Sequence, residues 1–113
     1  MGREGQNVPN ASIVLVKLTI ILEPEDDGGY SVVLPALNGC VSQGNTLQEA
    51  LANVKEAALG CLHVMGQEGI SVPGETPEMI AREVQRCLED RKEDGLPLTI
   101  ETREIEIEAE VAV

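Results

Sequence analysis

Carboxylates are the commonest reactive groups in this chain, and outside the helical segments they gather in two places. Glu23, Glu25, Asp26 and Asp27 share one short turn, and Glu104, Glu106, Glu108 and Glu110 alternate along the last segment. Converging carboxylates can hold paired cations for phosphoryl transfer, but they must project from rigid elements into one pocket. The apolar run Val14 to Leu22 contributes only Lys17, and no residue from Gly28 to Gln48 is charged although 25% of the chain is. The turn acids are therefore expected in solvent, and a metal-dependent nuclease is disfavoured. His63, the single histidine, could act as a general base, yet no nucleophile stands at a helical spacing from it. Cys40, Cys61 and Cys87 are scattered, without metal-ligand spacing, and no glycine-rich phosphate loop is present. No catalytic residue, metal or cofactor is predicted.

What the acids can do is recognise a partner. The net charge is −12 over 113 residues, which opposes a sequence-independent grip on nucleic acid and favours attraction to a basic protein. Tyr30 is the only aromatic residue and follows the acidic turn closely. Tyrosine is enriched at binding hot spots, so Glu23, Glu25, Asp26, Asp27 and Tyr30 form the candidate partner-binding set. The plainer alternative is that Tyr30 belongs to the core and the acids merely solvate a turn. An odd number of separated cysteines fits a reducing cytoplasm rather than a disulfide framework. The longest apolar run, Ile13 to Leu22, is too short to span a bilayer, so no membrane association is predicted.

These residues must be positioned by a small set of elements. Residues 1–12 lack periodicity and read as a loose tail before a single domain, 13–113. Val14, Val16, Leu18, Ile20 and Leu22 line one face of a strand, and Ile13, Leu15 and Ile21 make the other face partly apolar, as in a central strand. Tyr30 to Leu34 and Cys40 to Gln43 are short strand-like runs joined by the turn-forming segment Pro35 to Gly39. Thr46 and Glu49 form a capping box, the Glu49 carboxylate reaching back to the Thr46 N–H. The helix they open carries Leu47, Ala50, Leu51, Val54, Ala58, Cys61, Leu62 and Met65 on one stripe and ends at Gly66 or Gly69. A second helix, Pro77 to Lys92, is capped by Thr76, has a narrower stripe of Ile80, Val84, Cys87 and Leu88, and ends at Gly95. The segments around Gly69 and Gly95 echo each other, as expected of two helices closing with the same glycine chemistry. Ile105, Ile107, Ala109, Val111 and Val113 alternate with the glutamates of the last strand, and the opposite phase of Leu98 and Ile100 predicts a bulge near Thr102.

The stretch Gly28 to Ala50 reads G-G-Y-S-V-x-x-P-x-L-x-G-C-x-S-x-G-x-T-x-x-E-A, and it resembles the signature of the HicB-type antitoxins, the antidote halves of prokaryotic toxin–antitoxin pairs. The resemblance implies a truncated ribonuclease-H-like sheet. It also implies a function: neutralising a small basic RNA-cleaving toxin by covering its catalytic histidine. Many such antitoxins carry an added DNA-binding domain; the chain reaches Val113 directly after the last strand, so direct nucleic-acid binding is not carried over. The second helix is longer than the family's common pattern.

The predicted fold is α+β: a four-stranded mixed sheet of order 3-2-1-4 in a β-β-β-α-α-β chain, with the last strand parallel to the first and both helices on one face. The predicted function is that of a non-catalytic antitoxin; the alternative is a stand-alone oligomeric domain that binds a protein or a small ligand. Because an apolar row must be covered, a homodimer or higher homo-oligomer is expected, formed through strand edges or the second helix.

Overall fold

The structure, a computed structural model, describes residues 11–71 and 74–112. Most of the segment read as an N-terminal tail therefore lies outside the described residues, as does Val113. The elements run β1 (Ala11–Pro24), β2 (Tyr30–Val33), β3 (Val41–Gly44), α1 (Leu47–Gln67), α2 (Pro77–Glu93) and β4 (Glu101–Ala112). The strands form one sheet in the order β3-β2-β1-β4, as the sequence predicts.

Every neighbouring pair is antiparallel, so the expected mixed sheet with a parallel last strand is corrected. The reason is the second helix. α1 starts at the end of β3 and carries the chain back along the sheet. α2 then runs forward again, from Glu75 beside Thr19 to Arg91 beside Glu23. The chain is delivered to the C-terminal end of β1, and β4 can only return along it. Its register holds without a break from Leu22↔Glu101 to Ala11↔Ala112, so there is no bulge at Thr102. Leu98 and Ile100 are out of phase because they precede the strand.

Alternation along β1 separates two environments. Leu18, Ile20 and Leu22 point to one face, where they join Val32, Ile105 and Ile107 under Ala50, Val54, Ala58 and Leu62 of α1. This is the main core, and α1 approaches it closely: a Cβ on Gly44 would lie 2.3 Å from the Ala50 nitrogen. Thr19, Ile21 and Glu23 point to the other face. There α2 packs, with Cys87 buried and Arg91 only 3% exposed, although Met79 near its start also touches the α1-side core. The helices therefore divide between the two faces instead of sharing one. With two long helices and a narrow sheet, covering both faces removes more apolar surface from water.

Both helices close the same way. Gly69 (φ 70) and Gly95 (φ 72) take the left-handed conformation. Ile70 N–H donates to Met65 O, and Leu96 N–H to Arg91 O, both at 2.8 Å. Each end is a Schellman motif.

Candidate functional site

The acidic turn is tightly folded. Glu25 N–H donates to Gly29 O at 2.8 Å, and Gly28 N–H to Glu25 O at 3.0 Å. Gly29 N–H donates to Asp27 Oδ1 at 2.9 Å. Gly28 supplies the positive φ that closes the turn. A side chain at Gly29 would press on the Gly44 carbonyl, 2.8 Å from its Cβ, so two glycines let the turn sit against the end of β3. Glu25, Asp26 and Asp27 are exposed as a result.

Glu23 is separated from them. It lies on the α2 face with its side chain 17% exposed, 3.6 Å from Arg91 Nη1, and its carboxylate faces Cys87. Burial, with Glu23 next in importance, pushes the Cys87 thiol up from 9.0 to about 12. Arg91 Nε donates to Pro97 O at 2.6 Å, while Nη1 is buried with no hydrogen-bond partner among the described residues. Tyr30 takes an intermediate position: it is half-buried, paired with Gly44 across the β2–β3 ladder, and packed against the main core.

Where β2, β3 and α1 begin or end together, a polar cleft of about 290 Å³ opens. Glu25, Asp27, Tyr30 and Glu49 line it, with Asn45 and Asn53 beside them; among the described residues no lysine or arginine does. Of the predicted set, the structure thus brings Glu25, Asp27 and Tyr30 together, leaves Asp26 exposed on the adjoining turn, and turns Glu23 elsewhere. Glu49, Asn45 and Asn53 were not predicted for this site. Glu49 had a visible role as a cap, and Thr46 Oγ1 does accept from Glu49 N–H at 3.0 Å. Its carboxylate, however, accepts from Asn45 N–H at 2.7 Å rather than from Thr46, which turns it toward the cleft. Asn53 donates to Gln43 O at 2.8 Å and ties α1 to β3. Carboxylates, a phenol and amides can accept and orient cationic side chains; they offer no activated nucleophile.

A second concavity, about 980 Å³ and almost wholly apolar, lies at the other end of α1 between Leu37, Gly60, Cys61, Val64, Met65 and Ile70. Cys40, buried beside Cys61, is pushed from 9.0 to about 12 by burial first and by Cys61 second. His63 is exposed on α1. Among the described residues no group of three or more His, Cys, Asp or Glu could hold a metal ion, and no helix is long and apolar enough to cross a membrane.

A protein-family model described as the HicB-like antitoxin of bacterial toxin–antitoxin systems matches residues 18–92, which include the hairpin, the cleft, α1 and all but the last residue of α2. A UPF0150 protein of Thermoplasma acidophilum is 38% identical over 65 residues, covering 58% of this chain and 94% of the relative. A UPF0150 protein of a Synechocystis strain is 54% identical over 39 residues, 34% of this chain and 49% of the relative. The N-terminal domain of the Burkholderia pseudomallei antitoxin HicB has a similar fold, with a TM-score of 0.56 at 20% identity over 81% of this chain and 98% of that domain.

Proposed function

The chain belongs to the HicB-like antitoxins of bacterial toxin–antitoxin systems, and on that premise we propose that it neutralises a small basic RNA-cleaving toxin by binding over its active site, with no catalysis of its own. The observation that carries this reading is the cleft of Glu25, Asp27, Tyr30 and Glu49, with no cation among its described lining residues. A basic toxin needs acceptors for its lysines and arginines. Here the acceptors are held on a rigid turn and a helix cap, so little side-chain entropy is lost when they are engaged. Tyr30, rooted in the core, supplies apolar contact area beside them. Glu25, Asp26 and Asp27 steer the encounter, because exposed charge governs association rate more than final affinity. Glu23 supports the site from behind by anchoring Arg91 rather than by touching the toxin.

The test is co-expression with any small basic protein that a neighbouring reading frame encodes. Growth should be rescued and the two proteins should purify together. Changing Glu25, Asp26 and Asp27 together to Ser should slow association and flatten its dependence on salt. Purified complex that forms with an unchanged association rate in the triple variant removes this surface from the proposal.

A further inference from the structure

The three cysteines take no part in the recognition surface, and the fold sorts them. All three are free thiols. Cys87 is buried under α2 beside Glu23, whereas Cys40 and Cys61 lie together on the α1 side of the sheet. Leu34 N–H donates to Cys40 O at 3.2 Å and Cys40 N–H to Leu37 O at 2.8 Å, so the turn between β2 and β3 folds back and fixes Cys40 at its end. Cys40 is 4% exposed and shares a cluster with Ala58 and Leu62 of α1. Cys61, between those two helix residues, packs on the same cluster. It stays only partly buried because it also lines the large apolar concavity, together with Ala36, Leu37 and Asn38 of the turn that holds Cys40. One thiol is therefore enclosed, and its neighbour opens into a hollow. Each follows a glycine, Gly39 and Gly60, and a Cβ on either would meet nothing within 4 Å. The backbone at both sites thus has room to adjust as the sulfurs approach.

We infer that Cys40 and Cys61 are a redox pair, which closes to a reversible intrachain disulfide when a neutral hydroperoxide enters the apolar concavity. Exposure sets the order of events. The Cys61 thiolate attacks the outer oxygen of the hydroperoxide, the O–O bond breaks, and the sulfur becomes a sulfenic acid. The displaced oxygen takes up the proton that the thiol released and leaves as an alcohol, or as water where the oxidant is hydrogen peroxide. The Cys40 sulfur then attacks the Cys61 sulfur. The S–S bond forms, the S–O bond breaks, and the hydroxyl leaves as water with the Cys40 proton. The two thiols give up two electrons and the peroxide gains them; a dithiol reductant reverses the change. Burial, which pushes the Cys40 thiol up to about 12, keeps it from reacting first. No described lining residue of the concavity is charged, and the chain carries a net charge of −12; both favour an uncharged oxidant over anionic glutathione disulfide. The bond encloses β3 and the cleft residues Asn45, Glu49 and Asn53 within one loop. A cross-link restricts the unfolded chain, so oxidation strengthens the unit that carries the cleft, whatever partner the cleft binds. In reducing compartments, disulfides of this kind are transient and redox-sensing.

The test is peroxide treatment of the folded full chain, followed by alkylation of free thiols and non-reducing tryptic mass mapping. Cleavage after Lys17, Lys55, Arg82 and Arg86 puts the three cysteines on three different peptides. Hydrogen peroxide should join Leu18–Lys55 to Glu56–Arg82 within one chain, with the loss of two hydrogen atoms, and leave Cys87 open to alkylation after unfolding. The oxidised chain should unfold at higher denaturant than the reduced one, and dithiothreitol should restore the original midpoint. Cys87→Ala should form the same link. Cys61→Ala should form none, and its Cys40 should outlast the Cys61 of the wild type under peroxide. Cys40 and Cys61 both still alkylated after treatment, a link from either to Cys87, links only between chains, an unshifted midpoint, or a Cys40 in Cys61→Ala that is oxidised as fast as Cys61 is in the wild type would each overturn the proposal.

Discussion

The two faces of the sheet are built on different principles. Under α1, aliphatic side chains from β1, β2 and β4 close against small residues of the helix, and Ile20, Val32, Ala50, Val54 and Ala58 are fully buried. Under α2, a buried arginine, a half-buried glutamate and a thiol take the same position relative to the sheet, with Ile21 the one large aliphatic fully enclosed there. The first arrangement draws its stability from non-directional burial. The second depends on geometry, since a buried ion pair only offsets its own desolvation when both members stay in place. The difference assigns the faces different roles: the α1 face holds the hairpin, the turn and the cleft, and the α2 face is a support whose strength is conditional.

The largest effect expected is on the α1 face. Ile20→Ala should destabilise the chain by about 3 kcal/mol, the usual cost of a cavity in a packed core, as read from denaturant unfolding. A loss well under about 1 kcal/mol would mean that the core is loosely packed and the comparison fails.

Next comes the charged pair. Arg91→Met leaves Glu23 in a mostly desolvated position without its cation, and should cost about 2 kcal/mol. Adding Glu23→Gln should recover most of that loss, because an apolar and a neutral side chain can take the place of an ion pair at little net cost. If the double variant is as unstable as Arg91→Met, then the packing of Arg91 outweighs its charge and both faces are held chiefly by burial.

Alkaline pH sharpens the contrast without a large substitution. Cys40 on the α1 side and Cys87 on the α2 side are both raised from 9.0 to about 12. Below about pH 9 each thiol is protonated in both the folded and the unfolded chain. Between about 9 and 12 the unfolded chain releases protons that the folded chain retains, so stability falls as pH rises through that window. Burial leads at both sites, but Cys61 adds to it at Cys40 and Glu23 at Cys87. Glu23→Gln should therefore shallow the alkaline decline while Cys40→Ala acts independently of it. Identical slopes in the wild type and both variants, measured as denaturation midpoint against pH, would show that neither thiol is linked to folding.

The two faces were also unequally legible in the sequence. Period-two alternation in Leu18 to Leu22 and Ile105 to Ala109, and the 3.6-residue stripe of α1, identify most of the α1-side core, although Val14 in the same row is 38% exposed and the buried Leu34, Ala36 and Leu37 follow neither pattern. Strand order followed from short connections and from a first strand apolar on both sides. The direction of β4 did not, because it depends on where α2 leaves the chain, and amphipathicity shows that a helix has a buried face without showing which surface covers it. Arg91 was hidden for a related reason: a charged residue near a helix end reads as solvated until a carboxylate is placed opposite. The acidic turn was visible as a cluster, but its division, with Glu23 to one face and Glu25 and Asp27 to the cleft, is set by the β1 pleat at the point where the strand ends. Ile13 and Leu15 read as the second buried face of a central strand; they are exposed because β2 is too short to accompany β1 that far.

The smallest expected effect lies where the cleft and the α1 face meet. Thr46 is extended (φ −132, ψ 163) and its hydroxyl accepts from Glu49 N–H, so Thr46→Ala should cost about 1 kcal/mol, the ordinary loss of a helix N-cap. The Glu49 carboxylate bonds one residue further out than in the standard box, to Asn45 N–H, and that bond does not require the threonine side chain. Glu49→Gln keeps a side-chain carbonyl for Asn45 and removes a charge from the first turn of α1, where a negative charge favours the helix. It should cost only a few tenths of a kcal/mol while lowering the cleft's negative charge by one. The two substitutions thus separate cap from charge: Thr46→Ala should shift the denaturation midpoint with little effect on association with a basic partner, and Glu49→Gln should do the reverse. If Glu49→Gln destabilises the chain as much as Thr46→Ala, its carboxylate serves the helix start and does not belong to the recognition surface.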